Sequence, residues 1–244
     1  MRLATMLLAA AALTAPAGIA VAAAQAPAPA PVTVARYSFD SGFGAGGTVA
    51  DLSGRGMPLR VRAADGGAVR FIPRGTGRAV ALPARCAATA TRCPRAILEG
   101  GDDVDLDPGT RAFRFGTWAF ATPAQVGTGA NLMQKGVATT ESQWKLQIGQ
   151  QGRAHCVLVG RGSTRVYIVR STVKVNDGRW HQLTCRRTPT ALAIFVDGTA
   201  RGVVSVPAAV TVANGMPLRL GGQNLSTRSD QFGGALDEVF VSLG

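Results

Sequence analysis

The sequence predicts an all-β chain of antiparallel strands, stacked as a sandwich or closed as a barrel. Three observations carry that expectation. Beyond the N-terminal segment, no stretch repeats apolar residues at helical spacing over a useful length. Short apolar or alternating runs follow one another, separated by Gly, Pro, Asp and Asn. The run Asn176-Asp177-Gly178-Arg179-Trp180-His181-Gln182-Leu183-Thr184-Cys185, with Asp197-Gly198 further on, reads as a turn, a strand that buries a tryptophan, a second strand and a tight hairpin. Asp-Gly suits turns that need φ > 0, and Leu192, Ile194 and Val196 alternate along one strand face.

Residues 1–24 read as a secretory signal peptide. Met1-Arg2 is the positive start, residues 3–21 form the apolar run, and Ala22-Ala23-Ala24 supplies the cleavage site. The run is mostly Ala and Gly, weak for a retained membrane span, and no other stretch is apolar enough to cross a bilayer. Residues 25–31 alternate Pro and Ala, a short stiff linker. The globular domain is expected over residues 32–244, a length that suits one large all-β unit.

Strands are expected in order at 34–39, 59–62, 69–72, 79–82, 113–121, 131–134, 143–148, 154–158, 165–170, 180–186, 191–196, 200–206, 217–220 and 234–241. The run Phe113-Arg114-Phe115-Gly116-Thr117-Trp118-Ala119-Phe120 has aromatic residues on both of its faces. That predicts packing on both sides at its far end.

The net charge is +12, from 26 basic and 14 acidic residues. Two readings stand side by side. A basic face could attract an anionic polymer, or the arginines, which form no dense run, are simply solvated over both faces. An exported chain with few aromatics is not expected to bind nucleic acid.

The order of several motifs resembles the laminin-G-like family of concanavalin A-like domains, in its secreted bacterial form. Arg36-Tyr37-Ser38-Phe39-Asp40, then Asp51-Leu52-Ser53-Gly54, looks like that family's opening. Gly101-Asp102-Asp103-Val104-Asp105 resembles its G-x-D-D stretch, with Val where an aromatic is common. The Asp177-Gly178-Arg179-Trp180-His181 run resembles its D-G-x-W-H. Gly234-Ala235-Leu236-Asp237-Glu238-Val239 resembles its closing strand. The resemblance implies a two-sheet antiparallel β-sandwich, a jelly roll of the concanavalin A-like kind, and a binding module rather than an enzyme.

Four cysteines suit an oxidising compartment and permit three pairings. Cys156 and Cys185 stand in apolar segments that read as neighbouring strands, and many members of the resembled family carry cysteines at these positions. That implies Cys156–Cys185, with Cys86 and Cys93, which bracket a short polar loop, as the second pair. A zinc site is excluded by spacing, since no C-x-x-C occurs and the histidines are His155 and His181 alone.

Asp40 and Asp237 fall at the ends of the first and last strands, which often lie side by side in such sandwiches. Together with loop carbonyls they could hold Ca²⁺; the alternative is local hydrogen bonding. The acidic run Asp102, Asp103, Asp105 and Asp107 is a second candidate for the ion. Trp144 and Tyr167, set among polar neighbours, are candidates for stacking on a sugar ring, with core packing the alternative. Asn131, Gln223, Asn224 and Arg228 would supply hydrogen bonds. Asn224-Leu225-Ser226 matches the N-glycosylation sequon. Trp180 and His181 are read as structural.

Enzymes on the resembled scaffold use an E-x-D-x-x-E strand or a Q-I/V-H strand. Glu99, Glu141 and Glu238 form no such carboxylate pattern, and Gln147-Ile148-Gly149 lacks the histidine. The expectation is a secreted, non-catalytic module, extracellular or cell-wall associated. It would bind a glycan or an extracellular or cell-envelope protein. A polysaccharide-degrading enzyme and a ligand-free structural envelope protein are the alternatives.

Overall fold

The computed structural model describes residues 30–87, 89–139, 141–227 and 230–244. The signal segment 1–24 and most of the linker, 25–29, lie outside them. Strands β1 (Val32–Tyr37), β2 (Thr48–Val49), β3 (Leu59–Ala64), β4 (Arg70–Arg74), β5 (Gly77–Ala81) and β6 (Arg95–Glu99) lead to β7 (Phe113–Phe120). A one-turn helix α1 (Pro123–Val126) precedes β8 (Gly129–Gly136), β9 (Gln143–Gly149), β10 (Arg153–Val159) and β11 (Val166–Lys174). The chain continues through β12 (Trp180–Arg187), β13 (Ala191–Val196), β14 (Thr199–Ser205), β15 (Leu218–Leu220) and β16 (Ala235–Leu243).

These strands form the expected two-sheet antiparallel sandwich. The first sheet runs β14-β13-β12-β7-β16-β5-β4, and the second β11-β10-β9-β8-β15-β6-β3-β2. β1 joins the first sheet beside β16, so the first and last strands do lie together. One edge of β16 pairs with β7. Its other edge is shared by β5, at Ala235 and Leu236, and by β1, from Val239 onward. The β7 register shifts between Asp237 and Phe240, where Glu238 has φ 45°, so a bulge re-aims the side chains on either side of it. Among the described residues no helix is long and apolar enough to cross a membrane.

The core forms where period-2 alternation on each sheet points inward. β7 sends in Phe113, Phe115, Thr117 and Ala119, all buried. β9 sends in Trp144, Leu146 and Ile148, each fully enclosed. The Trp144 ring lies 4.7 Å from Phe115 and 6.4 Å from Phe113, and its Nε1 donates to the Leu106 carbonyl at 3.0 Å. That satisfies the polar handle of a buried indole.

Both expected disulfides are present, Cys86–Cys93 and Cys156–Cys185. One detail is corrected. Cys156 is on β10 and Cys185 on β12, which belong to different sheets. The bond therefore ties sheet to sheet through the core rather than joining neighbours within one sheet.

β6 was not expected. Its burial runs unbroken from Arg95 to Leu98, so it lacks the alternation by which a half-exposed strand is read.

Candidate functional site

The outer face of the first sheet carries a set of part-exposed aromatic and cationic groups. Alternation on β7 puts Arg114, Gly116, Trp118 and Phe120 there, opposite its core residues. Register then sets three rows across the strands. Arg36, Phe240, Gly116, Thr184 and Phe195 make the first. Ser242, Arg114 and Arg186 make the second, and Asp237, Trp118 and Gln182 the third.

Gly116 shapes the floor. A Cβ there would stand 2.9 Å from Cε1 of Phe240 and 2.4 Å from the Leu183 carbonyl oxygen. Bare backbone at this point lets the Phe240 ring lie across β7. Beside it opens a cleft of about 400 Å³, lined by Arg36, Arg114, Trp118, Gln182, Glu238 and Phe240 among others. A smaller depression of about 180 Å³ continues past Arg114 to Thr184, Arg186 and Phe195. The two share Arg114 and form one groove crossing the strands.

Arg74, from the β4–β5 hairpin, closes one end. Its guanidinium lies 4.6 Å from the Trp118 ring centre and 4.9 Å from that of Trp180, and its Nη1 is 2.6 Å from Asp237 Oδ2. Burial pushes the Asp237 carboxyl above its ordinary range, against the pull of Arg74 and the Glu238 amide. At the other side Arg36 pairs with Glu238 at 3.0 Å, and Arg186 lies 5.0 Å from the centre of Phe195. The groove thus offers aromatic faces, guanidinium donors, an amide and a carboxylate within one open surface.

Several expected site residues stand elsewhere. Trp144 is enclosed in the core, and so cannot stack on a sugar. Tyr167 points inward from β11, 7% exposed, with Arg165 over its ring at 5.1 Å. Trp180, expected in the core, is instead half-exposed on the outer face, 5.8 Å from Phe120. Its parity on β12 is that of Gln182, Thr184 and Arg186, not that of the buried Leu183 and Cys185. At the far end of β7 the expected packing on the outer side is supplied by Arg74 over Trp118 and by Trp180 beside Phe120.

Asn131 is buried on the second sheet. Its Nδ2 donates to Gln134 Oε1 at 2.9 Å, its backbone N–H donates to the Asp230 carbonyl at 2.9 Å, and its Oδ1 has no partner. Gln223 is half-buried and accepts from Arg219 through its carbonyl. Asn224 is exposed and its Oδ1 accepts from the Ser226 amide. Arg228 lies outside the described residues. This second-sheet face also holds Lys145, Gln147 and His155. Burial, with Arg170 and Lys145 nearby, lowers the His155 imidazole to about 4, so it is neutral at physiological pH. A larger cleft of about 430 Å³ beside β3 and β6 is lined by Arg60, Arg62, Glu99, Asp102 and Asp103 among others. Its charges are partly spent within the chain, Arg62 on Glu99 and Asp102 on Lys135. Size alone therefore does not single it out.

The carboxylates expected to hold Ca²⁺ have partners of their own. Asp40 Oδ1 accepts from the Arg78 amide at 2.9 Å, and Asp237 holds Arg74. In the acidic run, Lys135 Nζ sits 2.9 Å from Asp102 and 2.8 Å from Asp107, while Asp105 pairs with Arg55. An ammonium of the chain itself thus stands between two of the expected ligands. Among the described residues no group of three or more His, Cys, Asp or Glu is gathered so that it could hold a metal ion.

His181 is clasped by two aspartates, Nδ1 to Asp197 at 2.8 Å and Nε2 to Asp177 at 3.0 Å. Burial lowers its imidazole, but these bonds outweigh burial and hold it above its usual range. It ties the two Asp-Gly turns together.

Of the groove residues the sequence singles out only Asp237 as a site candidate, and that for Ca²⁺. The signal was present in the alternation of Arg114, Trp118 and Phe120, and of Glu238 and Phe240.

A laminin G family model, of the concanavalin A-like lectin/glucanases superfamily, matches residues 101–242. No curated protein matches. Among solved structures, domain 4 of AbnA, a GH43 extracellular arabinanase from Geobacillus stearothermophilus, in complex with arabinotriose, superposes with TM-score 0.66 at 19% identity, covering 88% of this chain and 93% of that one. The binding domain of Paraclostridial Mosquitocidal Protein 1 gives 0.64 at 12% identity, over 86% of this chain and 48% of its own. The binding domain of botulinum neurotoxin DC in complex with SialylT gives 0.60 at 10% identity, over 86% and 47%. The chain spans about half the length of these two toxin domains. At such identities the likeness is one of fold.

Proposed function

The chain belongs to the concanavalin A-like lectin/glucanases superfamily, and on that premise we propose that it is a secreted, non-catalytic module that binds carbohydrate in the groove on its first sheet. The observation that carries the reading is the cleft between Trp118 and Phe240, with Arg36, Arg114, Gln182 and Glu238 around it. Sugar rings present apolar faces and hydroxyl edges; the half-exposed rings suit the first and the polar side chains the second. The arabinanase domain was solved with arabinotriose and the neurotoxin domain with SialylT, so this sandwich serves sugar-binding domains elsewhere. The two disulfides fit an oxidising, extracellular compartment.

The carboxylates around the cleft are committed, Glu238 to Arg36 and Asp237 to Arg74. Glycosidic cleavage by the usual route needs two carboxyl groups free to act as acid and as base or nucleophile, which favours binding over catalysis.

The test is calorimetry against a panel of plant and bacterial oligosaccharides, run on the parent and on Trp118→Ala. Loss of a central aromatic anchor is expected to weaken binding by about thirtyfold, ~2 kcal/mol. Phe240→Ala should act in the same direction, which guards against a local effect of freeing Arg74. A panel in which nothing binds would favour the structural envelope protein. Release of reducing ends would favour the enzyme.

A further inference from the structure

Arg114 and Arg186 stand directly opposite each other on β7 and β12, on the floor of the groove. Like charges in that position repel and destabilise a sheet. Among the described residues neither has a carboxylate within ion-pair distance; Glu238 and Asp237, the groove's carboxylates, are taken by Arg36 and Arg74. Four guanidinium groups, those of Arg36, Arg74, Arg114 and Arg186, therefore face two carboxylates, Asp237 and Glu238. The uncompensated charge lies between aromatic rings, with Phe195 under Arg186 and with Trp118 and Phe240 sharing the cleft with Arg114.

We infer that the groove takes an acidic polysaccharide, the Arg114–Arg186 pair clasping the carboxylate of a uronate residue. The inference rests on the carbohydrate-binding reading above and names its ligand class. A carboxylate placed across the pair converts a repulsive contact into two charge-assisted hydrogen-bonding ones, and the planar guanidinium matches the planar carboxylate. A neutral sugar leaves the repulsion in place. The +12 net charge of the chain adds a long-range attraction for a polyanion.

The experiment compares, by calorimetry at low salt, an oligogalacturonate with the same oligomer reduced at its carboxyl groups. A sulfated oligosaccharide and a single-stranded DNA oligomer serve as further arms. The parent is expected to bind the uronate at least about tenfold more tightly than the reduced chain, a ratio that shrinks as salt screens the charges. In Arg114→Gln/Arg186→Gln the ratio should fall to about one, the uronate losing more affinity than the reduced chain. Arg186 is exposed, so the single Arg186→Gln variant keeps the test alive should the pair affect folding; it is expected to lower the ratio in part. Equal binding of acidic and reduced chains by the parent overturns the inference while leaving carbohydrate binding intact. So does a ratio that persists in the double variant, or preference for the sulfated chain or the DNA. No binding of any sugar here or in the wider panel overturns both.

Discussion

Replacing Lys135 with methionine is expected to lower the stability of the fold by about 3 kcal/mol. The side chain is fully enclosed, and its Nζ meets Asp102, Asp107 and the Asn214 carbonyl. Methionine keeps most of the volume, so the loss is chiefly electrostatic. Removing one partner of a buried pair is costly because the other charge stays behind. Asp107, 17% exposed, keeps only the Asn214 amide at 3.1 Å on the same oxygen. Asp102 is 48% exposed and returns to water, which places the effect at the low end of what such changes cost. By the same logic Asp102→Asn should cost less than about 1 kcal/mol. Urea unfolding of the two variants checks the asymmetry; a methionine variant as stable as the parent would contradict it. The ammonium pins the 101–107 segment and residue 214 to β8, so its loss is expected to loosen that end of the sandwich first.

The second large effect belongs to the inter-sheet disulfide. Cys156→Ala/Cys185→Ala is expected to cost about 3 to 4 kcal/mol, the chain-entropy value for a loop of this length. The sequence separation is 29 for this bond and 7 for Cys86–Cys93. Cys86→Ala/Cys93→Ala should therefore cost less, about 2 to 3 kcal/mol. Position widens the gap, since Cys156 and Cys185 are both fully buried and link the two sheets across the core. Denaturant midpoints that place the variants in the opposite order would contradict this account.

Much of the architecture was legible because strand periodicity, turn residues and cysteines are local signals. The aromatic residues were harder to place, and three of them show why. Trp144 has polar neighbours, Gln143 and Lys145, but neighbours in a strand point to the opposite face. Its own face is that of Leu146 and Ile148, which is the core. Trp180 sits before an apolar stretch, yet shares its face with Gln182, Thr184 and Arg186. Trp118 shares its face with Arg114 and Gly116. Parity, rather than the character of adjacent residues, sorts the tryptophans correctly. Parity does not show that Arg74 reaches from a distant hairpin to cover Trp118 and Trp180, that Glu238 answers Arg36, or that Lys135 occupies the acidic run. Those contacts depend on which segments become neighbours across separations that run from 28 to 202 residues of chain.

The three tryptophans also provide the most direct measurement. Trp118 and Trp180 lie on the groove face, and Trp144 lies in the core with its Nε1–H on the Leu106 carbonyl. Their indole N–H resonances, followed while an oligosaccharide from the panel is titrated in, report which surface is occupied. The account predicts that Trp118 shifts most, Trp180 follows, and Trp144 stays in place. Shifts confined to the second sheet around Lys145, Gln147 and His155, or to residues 222–231, with Trp118 unmoved, would contradict it.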